Sequence, residues 1–156
     1  MGEFVRYLSK ISRNYDIYCV VVVSNYGNTA EQVIDRLFEK LASDIGPHAV
    51  VSKIIGGGVG EAEEKFGINY GMQRPVLVIT QIHPNDWRTG DLAIRLALGK
   101  LRDENEIGGF LFGLMKLLSS DDFGRTSWQA RVESIQQMAS KLPISVDIAG
   151  LKMLDT

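Results

Sequence analysis

The 156-residue chain is 45% hydrophobic and 23% charged, with a formal net charge of −2; this is globular composition, far from that of a disordered chain. So small a charge gives no global field toward nucleic acid or an anionic membrane. The lone cysteine, Cys19, excludes an internal disulfide, no Cys/His spacing suits zinc, and no apolar run reaches the ~18 residues of a membrane span.

Residues 1–156 are therefore expected to form one domain, able to bury roughly 70% of the surface its unfolded chain would expose. Met1 to Asn14 mixes Arg6, Lys10 and Arg13 with Phe4, Leu8 and Ile11, so it does not read as a secretory leader, and a cytoplasmic setting is expected.

Phe4, Leu8 and Ile11 recur at helical spacing and predict a short amphipathic helix ending near Asn14. Ile17 to Val23 is a continuous β-branched run and predicts a central strand covered on both faces. After the turn and cap residues Ser24 to Thr29, an apolar stripe of Ala30, Val33, Ile34, Leu37, Phe38 and Leu41 predicts an amphipathic helix. Gly46-Pro47 ends it. Ala49 to Ile55 predicts a second strand, Glu61 to Phe66 a short acidic helix after Gly56 to Gly60, and Pro75 to Ile82 a third strand.

His83 to Gly90 is read as a loop. Leu92 to Leu101, apolar on nearly all sides, is read as a buried helix, while Ile107 to Leu118 stays open between helix and strand because of Gly108, Gly109 and Gly113. Ser127 to Leu142 predicts a last helix and Ile144 to Leu154 a terminal strand or edge segment. Alternating strands and helices predict an α/β layered domain around a sheet of three to five strands.

In such folds the functional crevice lies beyond the carboxyl ends of the strands. Three loops qualify. Asn28 and Thr29 are N-cap candidates; a helix cap accounts for them, and the N–H groups they border also suit a phosphate or carboxylate. Gly56 to Gly60 lacks both dinucleotide and Walker spacing and is followed by Glu61, Glu63 and Glu64, so it reads as a flexible turn. The third loop gathers His83, Asp86, Trp87 and Arg88, either a binding group or a turn anchored by its tryptophan. No nucleophile elbow is present, and Cys19, set among valines, is expected to be buried and inert.

The first half of the chain resembles the thioredoxin fold. Ala62 to Ile68 is similar to the short helix and Lys-aromatic-Gly-Ile exit before that family's cis-proline, and Arg74 to Ile79 is similar to the proline and the strand it opens. The resemblance implies a cis bond at Arg74-Pro75. It also places the two catalytic cysteines of the family near Asn28 and Glu31, so that dithiol exchange is absent. A second likeness, of Ser24 to Glu31 to the flavodoxin phosphate loop, implies a doubly wound sheet and bound FMN, with Trp87 or Tyr26 beside the flavin.

The leading expectation is a redox-inactive thioredoxin-like module with no cofactor, binding another protein or forming a homo-oligomer, with no nucleic acid or membrane partner. Its candidate binding residues are Asn25, Tyr26, Asn28, Thr29, Arg74, Pro75, His83 and Trp87. Phe110, Phe112 and Met115 are candidates for an interface, since Phe110 to Leu118 carries more apolar groups than one face holds; burial at the centre of the core is the alternative.

Overall fold

A computed structural model of the chain describes residues 1–24, 26–119 and 127–150. In chain order the elements are β1 (Gly2–Val5), a 3-10 turn at Leu8–Lys10, β2 (Ile17–Val22), α1 (Thr29–Asp44), β3 (Ala49–Ile54), α2 (Gly58–Lys65), β4 (Val76–Thr80), β5 (Ala93–Ala97), α3 (Glu104–Leu118), α4 (Trp128–Ala139) and β6 (Ser145–Ala149).

The strands form one mixed sheet in the order β1-β3-β2-β4-β5-β6. β1 and β2 both run parallel to β3, and β4, β5 and β6 then pair antiparallel in succession. The α/β class expected from the sequence is thus present. The all-parallel doubly wound sheet of the flavodoxin-like alternative is not, because β4 reverses direction beside β2.

Both faces of the sheet are covered, which is why β2 and β4 are apolar at nearly every position. Ile17, Cys19 and Val21 point toward α1, α3 and α4, packing with Val33, Ile34, Phe110, Leu114 and Ile135. Tyr18, Val20 and Val22 point the other way, toward Leu8, Ile11, Val59, Ala62 and Phe66. Each face carries its own apolar cluster, so a one-residue slip of β2 would exchange the two sets of contacts.

Three expectations are corrected, and one that the sequence left open is settled. Among the described residues six strands form the sheet, more than the three to five expected. The N-terminal helix is instead β1 followed by the 3-10 turn; Phe4 lies on the strand, and Leu8 and Ile11 bury on the far face. Leu92 to Leu101 contains β5 instead of a helix, since its apolar character comes from lying between β4 and β6 under cover on both sides. Ile107 to Leu118 belongs to α3: Asp103 caps it through Asn105 and Glu106 N–H groups, and Gly113 allows close approach, an added Cβ there lying 2.9 Å from Met138 Cε.

Candidate functional site

The reversal of β4 decides which loops meet. The register pairs Val22 with Val76 and Tyr18 with Thr80, so the entrance to β4, at Arg74-Pro75, lies beside the exit of β2. The Ser24–Thr29 and Gly56–Gly60 loops share that end of the sheet, and His83–Gly90 lies at the opposite end. Five of the eight expected binding residues, Tyr26, Asn28, Thr29, Arg74 and Pro75, are therefore near neighbours. Asn25 lies outside the described residues.

The N-terminus of α1 is closed by its own side chains. Asn28 Oδ1 accepts from the Glu31 N–H (3.0 Å), and Glu31 Oε2 accepts from the Asn28 N–H (3.2 Å), a reciprocal capping box. Glu31 is buried and also accepts from the Ser24 N–H and, at 2.8 Å, the Ser24 hydroxyl. A carboxylate of the chain thus stands where an external anion would bind the start of the helix. Asn28 Nδ2 donates to the Arg74 carbonyl (2.7 Å), tying the α1 cap to the residue before Pro75. The Arg74-Pro75 bond is cis, as the sequence led us to expect.

Arg74 is itself held in place. Its Nη1 donates to the carbonyls of Met72 (2.9 Å) and Asn69 (3.1 Å), and its Nη2 pairs with Glu63 of α2. This ion pair sits between two hollows: one of about 300 Å³ lined by Val23, Ser24, Tyr26, Val59, Glu63, Tyr70 and Arg74, and one of about 270 Å³ lined by Glu63, Glu64, Ile68, Asn69, Tyr70 and Arg74. Because Glu63, Tyr70 and Arg74 belong to both, the hollows join into one cleft. Tyr26 and Tyr70 line it and are 92% and 102% exposed, the reverse of the usual fate of large aromatic residues. Its chemistry is an apolar floor with aromatic rims and a neutralised cation.

Sequence reasoning missed Tyr70 and Glu63. Tyr70 lies on the segment between Ile68 and Pro75, which leads into β4. Glu63 gave no signal, because helical acids are ordinarily solvated.

The glycine-rich loop does geometric work: Gly56 has φ 61°, and a Cβ on Gly58 would lie 2.2 Å from the Arg6 carbonyl oxygen. The expected flexible turn is in part the first turn of α2, packed against the segment after β1.

At the opposite end, His83 is buried. Its Nδ1 accepts from the Asn85 N–H (3.1 Å), so Nε2 donates to the Ile11 carbonyl (2.8 Å), and the ring packs edge-on to Tyr18. Trp87 is buried against Phe66 with its indole N–H on the Leu92 carbonyl. Asp86 bonds Arg13 (2.8 Å), which holds its carboxyl below the ordinary value. These are anchors of the loop.

Of the expected interface residues, Phe110 and Met115 are buried in the core cluster, and Phe112 is half-buried with the Lys40 ammonium 5.1 Å from its ring centroid. The core alternative holds for Phe110 and Met115, because α1, α4 and the sheet surround that helix.

Cys19 is buried and its thiol is pushed up to about 12 by desolvation. Among the described residues, no group of three or more His, Cys, Asp or Glu side chains could hold a metal ion, and no helix is long and apolar enough to cross a membrane. No protein-family model, curated protein or solved structure matches the chain significantly.

Proposed function

We propose that the chain is a redox-inactive thioredoxin-like module that recognises a protein segment in the cleft between Tyr26 and Tyr70. The observation that carries the reading is the sheet: β1, β3 and β2 mutually parallel, then β4 and β5 antiparallel, with Arg74-Pro75 entering β4 beside the start of α1. At the two positions where the resemblance places cysteines stand Asn28 and Glu31, whose polar atoms are committed to the helix cap, Ser24 and Arg74. Cys19 is buried in β2 and held protonated, so it supplies neither an attacking thiolate nor a resolving thiol.

The cleft suits an extended segment with an apolar side chain for the Val23–Val59 floor and a ring or proline to stack on the tyrosines. FMN fits less well, since Glu31 occupies the anion position at the helix start and Trp87 is buried at the far end of the sheet.

The test is selection of displayed peptides on the wild-type protein, followed by affinity measurement on Tyr26→Ala and Tyr70→Ala. Each substitution is expected to weaken selected peptides about tenfold or more, with no change in fold because both rings are exposed. Equal peptide recovery on wild type and on the double variant, or a flavin absorbance spectrum in freshly purified protein, would overturn the proposal.

A further inference from the structure

The two hollows of the Tyr26–Tyr70 cleft differ in charge. The larger, with Val23, Val59 and Tyr26, is lined by one carboxylate and one guanidinium, Glu63 and Arg74, and these pair with each other. The smaller, with Ile68, Asn69 and Tyr70, adds a third charged group, Glu64. Glu64 is exposed, and among the described residues its carboxylate accepts no hydrogen bond and forms no ion pair.

The neighbouring cations are committed elsewhere. Arg74 is held by Glu63 and by the carbonyls of Met72 and Asn69. Lys65 donates to the Asn85 carbonyl (2.8 Å), and Arg95 pairs with Asp147 while donating to the Phe66 carbonyl (2.6 Å). Glu64 also stands in the last turn of α2, the end of a helix dipole that favours cations over acids. The lining of the cleft therefore carries one uncompensated negative charge, and the exposed Tyr70 lines the same hollow.

We infer that the smaller hollow receives a basic side chain, lysine or arginine, from the partner segment whose apolar side chain enters the larger one. The inference rests on the peptide-binding reading of the cleft and adds the polarity of the segment. An ammonium or guanidinium there meets both the Glu64 carboxylate and the face of Tyr70, so one group makes an ion pair and a cation–π contact. An acidic side chain would meet two carboxylates and a guanidinium that is already paired. Because Glu63, Tyr70 and Arg74 border both hollows, one continuous segment can fill them. In an extended segment the two side chains then lie at an even spacing, since alternate residues share a face.

Glu64 is exposed, so its ion pair adds little affinity and is screened by salt; the ring contact adds a comparable amount. The charge therefore acts chiefly on which segment is chosen.

Selection of displayed peptides tests this, followed by titration of one selected peptide, and of its analogue with norleucine in place of the basic residue, against wild type and Glu64→Gln. Selected peptides are expected to carry Lys or Arg at a fixed even spacing from the apolar residue. Norleucine should weaken binding to wild type about five- to tenfold, and Glu64→Gln should weaken the basic peptide about threefold while leaving the norleucine analogue unchanged. Glu64→Lys should turn the selection toward acidic residues at that position. Glu133→Gln removes an exposed acid from α4, on the opposite face of the sheet, and should change neither affinity. Peptides that need Tyr26 and Tyr70 but show no basic position, a Glu64→Gln loss equal for both peptides, or the same loss on Glu133→Gln would each overturn the inference while the cleft reading stands. Recovery of no tyrosine-dependent peptide would overturn the cleft reading, and the inference with it.

Discussion

Raising the pH should destabilise this protein through one residue, Cys19. Its side chain sits in the cluster between β2 and α1, and desolvation raises the thiol from its ordinary 9.0 to about 12. A raised acid pKa means that the folded chain holds its proton where the unfolded chain has released it. The contribution is therefore intact below pH 9 and is lost as pH rises from 9 toward 12. At pH 10 the unfolded thiol is about nine-tenths ionised and the folded one about a hundredth, a difference of roughly 1.4 kcal/mol. Urea unfolding of wild type and Cys19→Ala at pH 7 and pH 10 isolates this figure, because tyrosines and lysines titrate in both proteins and cancel in the difference. Cys19→Ala is expected to be less stable at pH 7, owing to its cavity, and to close that gap by about 1.4 kcal/mol at pH 10. A pH-independent gap, or rapid labelling of native wild type by a thiol reagent, would refute the reasoning.

Asn28→Ala removes the cap of α1 and the bond to Arg74, and should cost about 1–2 kcal/mol by chemical denaturation while leaving the sheet intact. Gly58→Ala forces a Cβ against the Arg6 carbonyl and should cost more than about 2 kcal/mol, whereas Gly57→Ala, with open space around its added Cβ, should cost under about 1 kcal/mol. Met115→Asp buries an unpaired charge among core side chains and should abolish cooperative unfolding; Phe112→Asp, half-exposed beside Lys40, should stay folded with a lowered Tm.

Where the sequence was legible, local pattern and tertiary environment agreed. The α1 stripe and the β-branched run of β2 each have one reading, and the structure uses it; of the two cap candidates, Asn28 is the one that caps α1. Where it misled, burial had erased the periodicity. Leu92 to Leu101 is rich in helix-forming Ala and Leu, yet a central strand between β4 and β6 needs apolar residues on both faces and makes no demand for β-branching when its neighbours supply the packing. Phe4, Leu8 and Ile11 fall at helical spacing by coincidence: the first lies on an edge strand on the α1 face, and the other two pack below the opposite face. Gly113, within Ile107 to Leu118, looked like a helix breaker because its reason lies elsewhere in the chain, at Met138.

The site divides along the same line. Tyr26, Asn28, Thr29, Arg74 and Pro75 were readable because strand-to-helix transitions and an X-Pro entrance announce themselves locally. The separation of His83 and Trp87 from them was not, since it depends on the direction of β4, and two strands of the same apolar pattern carry no mark of which way each runs. One antiparallel pairing moves an entire loop from one end of the sheet to the other. A crevice rule framed for parallel strands therefore grouped three loops where the fold groups two, with the entrance to β4 taking the place of its exit. Tyr70 follows from that exchange: it reaches the cleft because the segment leading into β4, and not the one leaving it, stands beside the cap of α1.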